Sequence, residues 1–234
     1  HIPKTAGTTF DRIFEAFSYR RNIQWQRLAG TIYGQYLGDG KTDVSSLEVG
    51  EAIKALPSNG FLSGHFPHCL GFVEDRPFIN VTIIRNPIDR SRSHFIFGAE
   101  RGGWDMNIDP SKVFQKGLMA DNAQVRQLSG CLDLNVPCDE EMLQAAIENI
   151  DHNFDFVGVS ERFDVFLGDI LSALGLPAVA YRRASVGKLE PKKRKTRLEL
   201  QLAPFNFFDQ QLYNHVNAKQ KTFRDGAMVF STSK

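Results

Sequence analysis

The sequence predicts an α/β architecture in which a parallel sheet is flanked on both faces by helices. Apolar β-branched runs alternate with stretches of helical periodicity, the order from which parallel sheets are built. One run, Phe-Ile-Asn-Val-Thr-Ile-Ile-Arg at 78–85, is apolar almost throughout, as a strand buried on both faces must be, and Asn86-Pro87 stops it. At the start of the chain a glycine-containing loop, His-Ile-Pro-Lys-Thr-Ala-Gly-Thr-Thr at 1–9, leads straight into Phe10, Ile13, Phe14 and Phe17. Their i, i+3, i+4, i+7 spacing is that of a helix with one buried face.

Taken in order, the patterns predict a helix over 8–18, a polar, glycine-rich connection at 30–46, a helix near 46–56 and strands at 60–64 and 78–85. A helix follows at 87–98, and others at 119–129 and 139–150. Phe154-Asp-Phe-Val-Gly-Val-Ser reads as another strand. Residues 162–174 read as a helix ended by Gly175 and Pro177, and 204–219 as a final amphipathic helix. No internal repeat, low-complexity tract or linker divides the chain, so 1–234 is expected to form one domain. The opening loop is of a kind that follows a strand, and that strand would lie upstream of His1.

Composition agrees with a globular core. Of 234 residues, 42% are hydrophobic and 24% charged, and the net charge of +1 argues against wholesale electrostatic attachment to nucleic acid. It conceals a basic cluster: Arg182, Arg183, Lys188, Lys192, Lys193, Arg194, Lys195 and Arg197. That cluster could be a solvated loop or face an anion. No apolar stretch is long enough to span a membrane. An upstream segment would carry any signal peptide or membrane anchor. Cys131 and Cys138 flank a turn-like segment and could close a small disulfide loop or remain buried thiols, with Cys69 left over. Their spacing does not make a zinc site.

The opening loop is suited to an anion. Gly7 lets backbone N–H groups come close to a ligand, Thr8 or Thr9 can cap the helix, and Lys4 adds a positive charge. The order is not that of a Walker A loop, where Lys follows the last Gly and a Ser or Thr holds Mg²⁺. Arg85 should be delivered to the carboxyl edge of the sheet. In Arg85-Asn-Pro-Ile-Asp-Arg-Ser-Arg-Ser93 the serine lies about two helical turns further on, where it can share one anion with the arginine.

These two motifs together resemble the nucleotide sites of sulfotransferases that use 3′-phosphoadenosine 5′-phosphosulfate (PAPS), particularly those acting on carbohydrates. Residues 3–9 resemble the 5′-phosphosulfate loop. Residues 85–93 resemble the 3′-phosphate motif, with Asn86 in place of the commoner Asp. Phe61-Leu-Ser-Gly-His65 is similar to the Gly-His segment of heparan sulfate 2-O-sulfotransferases, and 121–130 and 156–163 are similar to other segments of that group. The resemblance implies a P-loop-like sulfotransferase fold. It also implies that Pro3, Lys4, Thr5, Ala6, Gly7, Thr8, Thr9, Arg85 and Ser93 bind PAPS, and that Lys188 lies in a loop covering the nucleotide. No metal is implied, and the location implied is the Golgi lumen for a eukaryotic chain with an anchor upstream, the cytoplasm for a bacterial one.

Sulfuryl transfer from PAPS to a hydroxyl needs a general base, and histidine titrates closest to neutral pH. The resemblance gives His65 that role. His68 is the fallback, His94 is expected to point elsewhere on its helix, and His1 to brace the loop. Lys4 would stabilise charge on the leaving phosphate oxygen. The acceptor is expected to be a saccharide or polysaccharide, bound by loops at 18–45, 66–77 and 98–118. There Trp25, Tyr33, Tyr36, Phe66, Phe72 and Trp104 are available to stack on sugar rings. The alternatives are a metal-dependent P-loop kinase, which should carry a Walker lysine and an acidic Mg²⁺ ligand, and a non-catalytic glycan-binding module.

Overall fold

The computed structural model describes residues 2–21, 24–31, 46–57, 60–65, 79–182 and 192–222. Helix α1 (Gly7–Arg21) leads to strand β1 (Trp25–Thr31), α2 (Ser46–Ala55), β2 (Phe61–His65) and β3 (Val81–Ile84). Then come α3 (Pro87–Glu100), α4 (Pro110–Gln115), α5 (Ala123–Ser129), α6 (Glu140–Asn153), β4 (Phe156–Val159) and α7 (Phe163–Ala173). Helices α8 (Lys192–Leu202) and α9 (Phe207–Thr222) close the order.

The architecture is α/β and mostly helical. All strand pairing among the described residues is parallel, but it forms two separate pairs. Strand β1 lies beside β2, with Trp25 opposite Phe61 and Thr31 opposite His65, and β3 lies beside β4, with Val81 opposite Phe156 and Ile84 opposite Val159. The single continuous sheet expected from the sequence is therefore not seen among these residues. Short strands carry little periodic signal of their own, and β1, interrupted by an irregularity between Arg27 and Thr31, shows none.

Helices do cover both faces of the β3–β4 pair. Successive strand residues point to opposite sides. Ile83 accordingly packs with Phe10, Ile13, Phe14 and Phe17 of α1 and with Phe163, Phe166 and Ile170 of α7. Ile84 and Val159 pack on the other side with Val125 and Leu128 of α5, Leu143 and Ile150 of α6, and Leu212 and Val216 of α9. Gly158 fits where the sheet meets α7, since a Cβ there would sit 2.4 Å from the Phe166 ring. Helix α1 also reaches the other strand pair. Phe61 at the start of β2 stacks on Phe14 with centroids 4.5 Å apart and planes at 10°.

Helices α5 and α9 cap one another. The Asp209 carboxylate accepts the N–H groups of Gln124 and Val125, and the Asn122 side-chain oxygen accepts those of Phe208 and Asp209. Each helix start thus satisfies the orphan donors of the other. Asn122 has φ 41°, a left-handed conformation that asparagine tolerates better than most residues. Asp209 also lies 3.9 Å from the fully buried Arg90 guanidinium. Asp209→Ala should therefore cost about 3–5 kcal/mol, the typical loss when a buried charge is left without its partner. Denaturant unfolding at neutral pH measures it, and a loss below about 1 kcal/mol would contradict this arrangement.

Other expectations are corrected by packing. Trp104 is not presented to a sugar: it is 9% exposed, its indole N–H donates to the Phe95 carbonyl, and its ring covers Gly98, where a Cβ would meet it at 2.0 Å. Gly98→Ala should overpack this site and cost about 1–3 kcal/mol. Unchanged stability and unchanged Trp fluorescence would contradict that packing. The basic run is not all loop either. Its 192–197 part opens α8, which buries Leu198 and Leu202 beside Phe95 and Val113. The charged first turns hide that apolar stripe from a reading of charge alone. Cys131 and Cys138 are free thiols, and burial pushes the Cys138 thiol up to about 12. The turn between them is held instead by Arg126, which donates to the carbonyls of Asp133 and Val136.

Candidate functional site

The loop at 3–9 folds as a compact cradle at the head of α1. Lys4 and Ala6 both take left-handed backbone angles, φ 71° and 72°, which cost a non-glycine residue about 1 kcal/mol or more each. Strain of this kind persists where the surroundings over-determine it. Here the Thr5 hydroxyl, fully buried, donates to the Ile2 carbonyl at 2.7 Å, and the Ala6 carbonyl accepts the N–H groups of Thr9 and Phe10. Any contact from Thr5 to a ligand would thus come through its backbone. The first N–H groups of the helix, at Gly7 and Thr8, have no acceptor within α1 and lie at its positive end. Pro3 and Thr8 are half-buried, and Thr9 is buried.

Arg85 meets this loop from the end of β3. Its Nη1 donates to the Lys4 carbonyl at 3.1 Å, so two motifs 81 residues apart in sequence form one site. The backbone at Arg85 is clasped by Gln124, whose Oε1 accepts the Arg85 N–H and whose Nε2 donates to the Arg85 carbonyl. Asn86 caps α3, its side-chain oxygen accepting the N–H groups of Ile88 and Asp89, while its own N–H donates to Glu161. An aspartate could cap the helix in the same way, which explains why Asn serves here.

Helix α3 brings its side chains under Lys4. The Lys4 ammonium lies over the Phe97 ring, 4.0 Å from its centroid, and the Arg101 guanidinium lies over the same ring at 4.7 Å. Burial and then the Arg85 charge lower the Lys4 ammonium to about 8, with Arg101 acting in the same sense and Glu100 opposing it. Burial likewise lowers Arg85, with the carboxylates of Asp89 and Glu161 opposing. The site therefore gathers half-buried positive charge on a strained loop at a helix start, an arrangement typical of a place built for an anion. Ser93 is one turn before Phe97 on this helix and half-buried.

Burial first, then the Arg90 and Lys4 charges, hold the His94 imidazole down to about 3. His65 ends β2. Strand β2 runs parallel to β1 from Phe61, whose N–H donates to the Gln24 carbonyl, and its last residue, His65, lies opposite Thr31. His1, His68 and Lys188 lie outside the described residues, as do Tyr33, Tyr36, Phe66 and Phe72.

The sequence reading passed over Phe97, Gln124 and Glu161. Phe97 carried a usable signal, since it falls four residues after Ser93 on one helix face. Gln124 and Glu161 act from distant segments on the Arg85 and Asn86 backbone, which no local pattern encodes. Neither a protein-family model nor a curated protein matches the chain.

The Lys4 charge gives the site a pH dependence. Its pKa in the fold lies below the ordinary 10.5, so the buried ammonium opposes folding at pH values below about 8, and that cost is relieved as pH rises from about 8 toward 10.5. Anion binding has the opposite sign, because it needs the ammonium. Affinity for inorganic pyrophosphate should fall as pH rises through about 8, and Lys4→Arg, which stays charged, should flatten that fall. Titration calorimetry between pH 7 and pH 9.5 measures it. A flat wild-type profile would contradict the role of Lys4.

Proposed function

We propose that this chain is a PAPS-dependent sulfotransferase of P-loop-like sulfotransferase fold, moving a sulfuryl group to a hydroxyl of a carbohydrate. The observation that carries the reading is the contact between Arg85 and the Lys4 loop. It joins the two motifs that resemble the 3′-phosphate and 5′-phosphosulfate sites, and it places their charges around one helix N-terminus. A nucleotide with phosphates at both ends of its ribose suits two such positive poles.

The proposed reaction gives each of these residues a role. The loop N–H groups at 5–8 and the Lys4 ammonium hold the 5′-phosphosulfate, while Arg85 and Ser93 hold the 3′-phosphate. The acceptor oxygen attacks sulfur in line. Its bond to sulfur forms as the bond from sulfur to the 5′-phosphate oxygen breaks, and the acceptor proton passes to the His65 imidazole. The departing adenosine 3′,5′-bisphosphate takes the electron pair on its phosphate oxygen, where the Lys4 ammonium meets the added charge. Reaction by this route needs no metal.

Incubation with ³⁵S-labelled PAPS and a panel of polysaccharides, oligosaccharides and small alcohols tests the proposal. Label is expected in a saccharide acceptor. Label in no acceptor, together with phosphate transfer from Mg²⁺-ATP in a parallel assay, would favour the kinase alternative and overturn this one.

A further inference from the structure

We propose that Gln124 is a positioning residue that sets the preference of the site for a 3′-phosphorylated nucleotide, by fixing the backbone from which the Arg85 side chain projects. The proposal rests on the reading of Arg85 as a 3′-phosphate ligand. Its basis is a hand-over at the end of a strand. Strand β3 is paired with β4 as far as Ile84, opposite Val159, where β4 ends. The next residue is Arg85, and there one side-chain amide takes the place of the missing strand. The Arg85 N–H donates to Gln124 Oε1 at 2.9 Å, and Gln124 Nε2 donates to the Arg85 carbonyl at 3.0 Å.

A side-chain amide offers an acceptor and a donor side by side without any change of charge. Gln124 is fully buried, so water cannot replace it. It is itself held in place: its N–H and that of Val125 donate to Asp209, at 3.0 and 2.8 Å. A chain of contacts thus runs from Asp209 through Gln124 to Arg85 and on to the Lys4 carbonyl at 3.1 Å. Recognition by a guanidinium fork tolerates displacements of only about 0.5 Å, so freeing the Arg85 backbone should blunt it.

The test compares adenosine 3′,5′-bisphosphate with adenosine 5′-phosphate in the full chain. Wild type should prefer the bisphosphate. Gln124→Met, which keeps the volume and loses both hydrogen bonds, should lose about tenfold of that preference while adenosine 5′-phosphate binds within about twofold of wild type. Gln124→Glu, which keeps the acceptor and loses the donor, should fall between. Starting from Arg85→Ala, adding Gln124→Met should leave the ratio unchanged. In wild type the Arg85 N–H should exchange with solvent as slowly as that of Ile84, a measurement that needs no variant to fold. Equal losses for both nucleotides, an unchanged ratio, or fast exchange at Arg85 would overturn the proposal alone. A wild type without preference would remove the reading of Arg85 and the proposal with it.

Discussion

His65→Ala is expected to lose about 10²–10⁴-fold in sulfuryl transfer, the usual cost of removing a general base, while still binding adenosine 3′,5′-bisphosphate. The histidine ends β2, opposite Thr31 of β1. Burial, then the Arg90 and Lys4 charges, hold the His94 imidazole neutral down to about 3, which makes His94 a control. Wild-type turnover should decline on acidification as the base is protonated, and His94→Ala should leave that decline in place, because His94 does not titrate in the working range. Near-normal turnover of His65→Ala on an authentic acceptor would show that another group takes the proton.

Lys4→Ala should lower turnover by about 10²–10³-fold even at saturating PAPS, the loss seen when one preplaced donor to a developing oxyanion is removed. The ammonium has a defined place in the structure. It rests over the Phe97 ring, close enough to Arg85 for that charge to lower it, on a loop whose left-handed residues fix its origin. Phe97→Leu should therefore reduce turnover about 3–30-fold, in line with a cation–π contact of about 0.5–2 kcal/mol. A raised Michaelis constant with unchanged turnover in Lys4→Ala would reduce Lys4 to a binding residue.

Much of this arrangement was legible before any coordinates. The Phe10, Ile13, Phe14, Phe17 stripe, the buried run ending at Ile84 and the helix after Asn86-Pro87 all fold as their periodicity predicts. What escaped the sequence is what depends on partners far along the chain. The end of β3 is completed by a glutamine 39 residues on, and α5 and α9 start where Asn122 and Asp209 exchange caps across 86 and 84 residues. Residues 119–122, expected as the first turn of α5, stay outside it because Asn122 is turned into the left-handed region to reach α9. A loop aromatic such as Trp104 has no periodicity to assign it to a core, yet Gly98, on the helix just before it, makes room for it. The lowered basicity of His94 likewise has no local signal, since it comes from burial and from the Arg90 and Lys4 charges, the latter from the other end of the sequence.

The claim that joins these observations is that Lys4 and Arg85 form one site for a nucleotide phosphorylated at both the 3′ and 5′ positions. Titration calorimetry of the wild-type chain with adenosine 3′,5′-bisphosphate and with ATP, each with and without Mg²⁺, tests it most directly. The account predicts metal-independent binding of the bisphosphate, at least tenfold tighter than ATP, and loss of that margin in Arg85→Ala, where a charged hydrogen-bonding partner worth about 1.5–3 kcal/mol is gone. Equal affinity for the two nucleotides, or tighter binding of ATP that appears only with Mg²⁺, would contradict it.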